Sequence, residues 1–241
     1  MSRPAKPWHN HPVTPKRFLS KIAVYLTGLF LLALGTVLSI NAELGISPVN
    51  ALPYATSIVL GTEMGISLTA FFIACMLLQV VLLGRRFRPV DLCQVPFSFV
   101  LGYFIQGISL FMGDFSLKAA LGYPGQLVML LCGMFLVASG IAVYIEAALI
   151  SLPPEGLVLA ILERRPASMF GRVKIGLDSI LVLLAVAVSL AFTGTLHGVR
   201  EGTVISILLV GRLIPMFRGM FVPLLCKIGF RATSGGPSPR P

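Results

Sequence analysis

Charge is what this sequence has least of. Only 12% of its residues are charged, against 56% apolar residues and a mean hydropathy of +0.92. A soluble domain cannot cover that much apolar surface, so the scarcity of charge points to a multi-pass helical membrane protein. The formal net charge of +10 would by itself suggest nucleic acid as a partner. The basic residues, however, stand at the ends of apolar runs, where they report topology and meet anionic lipid. With no soluble basic domain, nucleic-acid binding is not expected.

Other absences narrow the class further. The four cysteines (Cys75, Cys93, Cys132, Cys226) are far apart and form no CxxC pair, so neither a disulfide framework nor a zinc site is indicated. His9 and His11 lie in a polar tail and His197 in a loop, which leaves nothing for a metal or cofactor. No G-x-S-x-G, Walker A or H-E-x-x-H pattern occurs, and no histidine falls inside an apolar run, so no enzyme is expected. The alternating pattern of an outer-membrane barrel is missing too.

What the chain does have is long apolar runs. Six are long enough to cross roughly 30 Å of hydrocarbon as helices: 18–40, 66–84, 92–112, 126–146, 175–193 and 203–217. The first is too long for a signal-peptide core and has an internal counterpart at 126–145, so it belongs to the mature protein. Two shorter pieces, 47–60 and 154–163, follow proline-containing breaks, and their length suits re-entrant or half-helices. Residues 1–17 form a basic, disordered N-terminal tail, and residues 232–241 cannot build a core.

The first half of the chain recurs in the second. At an offset of 105 the identical pairs are Leu26/Leu131, Gly28/Gly133, Phe30/Phe135, Leu31/Leu136, Ala33/Ala138, Gly35/Gly140, Ile40/Ile145, Ala42/Ala147, Leu44/Leu149 and Pro48/Pro153. Weaker matches, Leu101-Gly102 with Val210-Gly211 and Ile105 with Ile214, extend the repeat. The predicted organisation is membrane repeat 1 over 18–112, an external loop over 113–125, repeat 2 over 126–217 and a cytoplasmic segment over 218–241. Basic residues cluster on one side only if the two short pieces turn back. Arg85, Arg86, Arg88, Arg164, Arg165, Arg172, Lys174 and Arg218 are then cytoplasmic, as are both termini. Three crossings per unit make the units inverted. The fold class is thus an all-α polytopic membrane protein of two inverted three-helix repeats, each with a re-entrant or half-helix. Gly28, Gly35, Gly133 and Gly140 read as packing positions.

Duplicated, interrupted apolar units point to a transporter's binding site. Break one carries Asn41, Glu43, Ser47, Pro48 and Asn50; break two carries Glu146, Pro153, Pro154 and Glu155. Proline suits a helix's first turn and Ser47 suits an N-cap, so a new helix should begin after each break. Its free N–H groups and partial positive charge favour an anion. The expected substrate-binding set is Ser47, Pro48, Asn50, Pro153, Pro154, Glu155 and Arg212, lying between the breaks near the midplane. Carboxylates at membrane depth are candidates for ion coupling, here Glu43, Glu146, Glu155 and Asp178. The simpler reading ends Glu43 and Glu146 at the interface, pairs Asp178 with Lys174 at i, i+4, and lets Arg212 snorkel. An Asp178–Arg212 pair is the other arrangement.

The run Leu44-Gly45-Ile46-Ser47-Pro48-Val49-Asn50-Ala51-Leu52-Pro53, with Gly202-Thr203-Val204-Ile205-Ser206 before the last helix, resembles the YczE/YyaS/YitT family of bacterial inner-membrane proteins. The resemblance implies a bacterial cytoplasmic-membrane location over about residues 18–220 and, as usually ascribed to that family, transport. The functional expectation is a secondary transporter for a small anionic or zwitterionic solute, with the lipid bilayer as its surroundings and homo-oligomerisation left open. The alternative is a non-transporting accessory protein of another membrane complex.

Overall fold

Long apolar helices account for nearly all of the described residues. The computed structural model describes residues 15–62, 64–87, 91–92, 94–113, 118–147, 149–163 and 166–227. The expected tails up to residue 14 and beyond 227, together with Arg88, Cys93, Arg164 and Arg165, lie outside the described residues. The α-helices are α1 (Pro15–Asn41), α2 (Pro48–Leu60), α3 (Met64–Leu83), α4 (Gln94–Met112), α5 (Lys118–Ala147), α6 (Pro153–Leu162), α7 (Phe170–Thr193) and α8 (Glu201–Lys227). Six of them contain stretches long and apolar enough to cross a membrane, from Leu19–Asn41 to Glu201–Phe221. This is a multi-pass, all-helical membrane protein.

Four helix ends differ from expectation by three residues or more. α1 begins at Pro15, inside the expected tail, because proline suits a first helical turn. α5 reaches back to Lys118, into the expected loop, through a kink at Gly122 (φ 60°, ψ −142°). Only glycine adopts such a backbone readily, and it lets the chain turn before Pro124. α7 starts at Phe170 rather than 175, and it draws Lys174, expected on the cytoplasmic surface, into the interior. α8 runs on to Lys227 through Pro215 and Pro223, past the predicted end at 217.

Packing is organised around α1 and α5. They lie against each other along their length, and α4 covers α1 while α8 covers α5. The core between them contains Tyr25, Leu29, Met134, Ala138, Ile141 and Tyr144, extended by Val158 of α6 and Ile214 of α8. α2 packs on α7 and α3; α6 packs on α3 and α7. Small residues set the α2–α7 approach, since Ala51 and Ala55 meet Val182 and Ala185. Exchanging α1 with α5, α2 with α6, α3 with α7 and α4 with α8 converts the α1–α4 contact into α5–α8. The same exchange converts α2–α7 into α6–α3, and α2–α3 into α6–α7.

Outward faces are apolar. Val81 on α3, Leu110 and Phe111 on α4, and Leu183 and Phe192 on α7 are all exposed. In a bilayer such side chains meet lipid tails and need no partner. Aromatic side chains pack between helices: Phe97 meets Tyr25 edge-on at 5.2 Å and Phe104 meets Phe30 at 6.0 Å. Phe99 and Tyr103 point outward.

Candidate functional site

The second break builds a buried polar centre at the start of α6. Pro153 and Pro154 occupy the first helical positions, after Leu152 in an extended conformation (φ −68°, ψ 153°). Neither proline has an N–H to leave unsatisfied, so the helix starts inside the protein at low cost. Glu155 follows in the first turn, where its charge is favoured by the helix dipole. The side chain is almost completely enclosed.

Glu155 does not stand alone. Lys174 Nζ of α7 lies 3.4 Å from its Oε1 and donates a 2.8 Å hydrogen bond to Asp178 Oδ1 one turn further along α7. An i, i+4 spacing puts Lys174 and Asp178 on one helix face, turned towards α6. Lys174, Asp178 and Glu155 are only 2%, 2% and 5% exposed, so the three charges are effectively removed from solvent. Burying charge costs several kcal/mol per ion unless it is paired. Here one ammonium serves two carboxylates, which leaves the ionised cluster one negative charge in excess.

Further polar groups close around this centre. Gln79 of α3 and Gln94 of α4 bond each other reciprocally, at 3.1 and 2.9 Å, and Gln79 Nε2 also donates to the carbonyl of Pro153 at 2.9 Å. Gly156 gives them room, since a Cβ there would fall 2.8 Å from Gln79 Oε1. Tyr25 of α1, Cys75 of α3 and Tyr144 of α5 lie within electrostatic reach of Glu155. The Tyr25 hydroxyl is buried with no hydrogen-bond partner, and the buried Tyr144 hydroxyl faces Glu155.

Break one is held differently. Ile46 N–H donates to the Gly198 carbonyl at 2.8 Å, and Thr203 Oγ1 donates to Ile46 O at 2.8 Å. Gly202 N–H reaches Leu44 O at 2.9 Å, and Arg200 Nη1 reaches Glu43 O at 2.9 Å. The break is thus laced, through backbone groups, to the segment before α8. Glu43 has φ 56°, a left-handed backbone uncommon outside glycine, and its residue is exposed. Ser47 occupies the N-cap position of α2 but makes no side-chain capping bond; its carbonyl instead receives the N–H groups of Asn50 and Ala51. Pro48 is buried in the first turn and Asn50 is half-buried.

Of the expected site residues, the structure brings together Pro153, Pro154, Glu155 and Asp178. Ser47, Pro48 and Asn50 lie at the start of α2, and no hydrogen bond or ion pair among the described residues links them to the second break. Glu146 is buried near the end of α5. Its Oε1 receives Arg218 Nε and Nη2 at 2.7 and 2.6 Å, and its Oε2 is unpartnered. Arg212 is exposed on α8, and Asp178 pairs with Lys174 rather than with it. Lys174, Gln79, Gln94, Tyr25 and Tyr144 were not among the expected site residues. The only sequence signals were a glutamine inside one apolar run (Gln79), another near the start of the next (Gln94), and the Lys174–Asp178 spacing.

Comparison with known proteins bears out the resemblance. The sequence model described as "Family of unknown function (DUF6198)" matches residues 19–219. An uncharacterised protein of Bacillus subtilis, YyaS, is 26% identical over 201 residues, covering 82% of this chain and 92% of the relative. No solved structure matches the chain.

Proposed function

This chain belongs to the DUF6198 family, and from that premise we propose that it is a secondary transporter for a small anionic or zwitterionic solute. The observation that carries the reading is the Glu155–Lys174–Asp178 cluster, three charges buried at the start of a short helix in a membrane protein. Ionisable groups inside a membrane protein are retained for function by default. The symmetric exchange of helix contacts supports two inverted repeats, with α2 and α6 as their half-helices. Arg86 with Glu163, and Glu146 with Arg218, then lie on the cytoplasmic side of a bacterial inner membrane, as do both termini. In this reading α2 and α6 both work against the α3–α7 pair. The cluster around Glu155 couples transport to an ion gradient, and the α2 start at Ser47–Asn50, which has no acid of its own, offers its positive dipole end and the Asn50 side-chain amide to the solute.

The test begins with a thermal-shift screen of purified protein against carboxylates, amino acids, phosphate and sulfate, because a ligand of the native state raises its apparent stability. Each hit is then followed by uptake into proteoliposomes. Glu155→Gln and Asn50→Leu are expected to abolish uptake while the protein still inserts and folds; unchanged uptake removes both residues from the site. One observation favours a second reading, a non-transporting accessory protein: the second break is packed closed, from Leu152 to Val158. A screen without any hit, together with co-purification of a fixed membrane partner, would select that reading.

A further inference from the structure

We infer that the α6 cluster is a single-proton site, in which Glu155 takes up and releases one proton while Lys174 and Asp178 remain a fixed ion pair. The inference builds on the reading of this cluster as the coupling centre, and names the ion.

The geometry separates the two carboxylates. Lys174 Nζ is at 2.8 Å from Asp178, on the same helix face, and at 3.4 Å from Glu155, across a helix–helix contact. The closer pair cancels its own charge. Glu155 is left as the carboxylate whose ionisation puts a net negative charge into the interior. One proton on it makes the cluster neutral. The step is simple: a proton from bulk water forms one O–H bond at a Glu155 carboxyl oxygen, Lys174 keeps its three protons, and no other bond changes.

The surroundings suit both states. The groups facing Glu155 are Lys174 and Asp178 from α7, Tyr25 from α1, Cys75 from α3 and Tyr144 from α5. Tyr144 is buried, and its hydroxyl lies beside Glu155. A phenol can donate to a carboxylate and accept from a carboxylic acid, so it serves Glu155 in either form. The Tyr25 hydroxyl, itself buried and unpartnered, stands nearby, with its ring edge-on to Tyr144 at 5.9 Å. A sodium ion fits less well. It needs several oxygen ligands, and the ammonium of Lys174 already stands between the two carboxylates and would repel it.

Infrared difference spectroscopy of the purified full chain, between mildly acidic and mildly alkaline buffer, tests the assignment. The expected result is one carbonyl band of a protonated carboxylic acid that disappears in alkali and is absent in Glu155→Gln; in Asp178→Asn, where Lys174 balances Glu155 by itself, the band is expected only in more strongly acidic buffer. Tyr144→Phe should keep the band and shift its frequency. That variant decides the matter if Glu155→Gln fails to fold. A band absent from the wild-type protein, or one untouched by both Glu155→Gln and Tyr144→Phe, overturns the proposal, as does its replacement by a sodium-dependent signal. Band and transport fail separately. A proton band in a protein that moves no solute keeps the site and removes the transporter, and uptake without the band does the reverse.

Discussion

The backbone of Gly28 lies directly against that of Gly140: a Cβ placed on Gly28 would fall 2.9 Å from the Gly140 carbonyl oxygen. Seven residues on, Gly35 meets Gly133 in the same way, with a Cβ on Gly133 at 2.8 Å from the Gly35 oxygen. Gly28 is the repeat partner of Gly133, and Gly35 of Gly140, so the two contacts are copies of one another. They also run in opposite senses along the chain, which makes α1 and α5 antiparallel. The proposed inverted halves, related by a two-fold axis in the membrane plane, would require this arrangement.

Adding a methyl group at this crossing should be costly. A Cβ on Gly28 would also fall 2.6 Å from the Tyr144 backbone nitrogen, which cannot move aside as a flexible side chain can. Gly28→Ala and Gly140→Ala are each expected to destabilise by about 1–3 kcal/mol through overpacking. Gly102→Ala on α4, with nothing within 4 Å of the new atom, should be neutral or better. Thermal unfolding in one detergent compares them, and equal midpoints for Gly28→Ala and Gly102→Ala would mean that α1 and α5 do not approach this closely.

Lys174 should be the most sensitive side chain in the bundle. Lys174→Met leaves two buried carboxylates without a counter-charge, and removing one partner of a buried pair costs about 3–5 kcal/mol. Glu155→Gln and Asp178→Asn added to Lys174→Met remove the stranded charges, so the triple variant should recover most of that loss. Unfolding by denaturant in mixed micelles reads both. A triple variant no more stable than Lys174→Met would show that the three charges are not one unit.

Gln79 and Gln94 should differ although they bond each other. Gln79→Ala strips a buried partner from the Pro153 carbonyl as well as from Gln94, whereas Gln94→Ala leaves the Gln79–Pro153 bond in place. An unsatisfied buried polar group costs about 1–3 kcal/mol, so the first variant should lose more stability than the second. Hydrogen exchange on α6 provides an independent readout, with faster exchange expected at its start in Gln79→Ala only.

The helices were legible because hydrocarbon-spanning length and composition are written locally in the sequence. The two short helices were legible for the same reason, each being announced by a proline that suits a first turn. The site was legible only in part. Glu155 stood out as an acid beside Pro153 and Pro154, but its partner Lys174 looked like one more basic residue at a helix end. Whether such a lysine snorkels or is buried depends on what faces it from other helices, here Glu155. Gln79, Gln94, Tyr25 and Tyr144 converge from four helices, and no spacing in the chain encodes that convergence.

The path of the chain through the bilayer gives the last test. Arg86 Nη1 lies 3.4 Å from Glu163 Oε1, so the ends of α3 and α6 share one side. If both α2 and α6 turn back, Thr62 faces outward and Arg86 and Glu163 face the cytoplasm. If α2 crossed instead, Thr62 would move inside and Arg86 outside. Single cysteines at these three positions, in a chain whose four native cysteines are replaced, distinguish the paths. Arg86 and Glu163 tolerate the change, because their pair is largely exposed and such pairs contribute little. A membrane-impermeant thiol reagent added to intact cells should label position 62 alone, and positions 86 and 163 only after permeabilisation. Labelling of position 86 in intact cells would exclude a re-entrant α2 and, with it, the inverted arrangement.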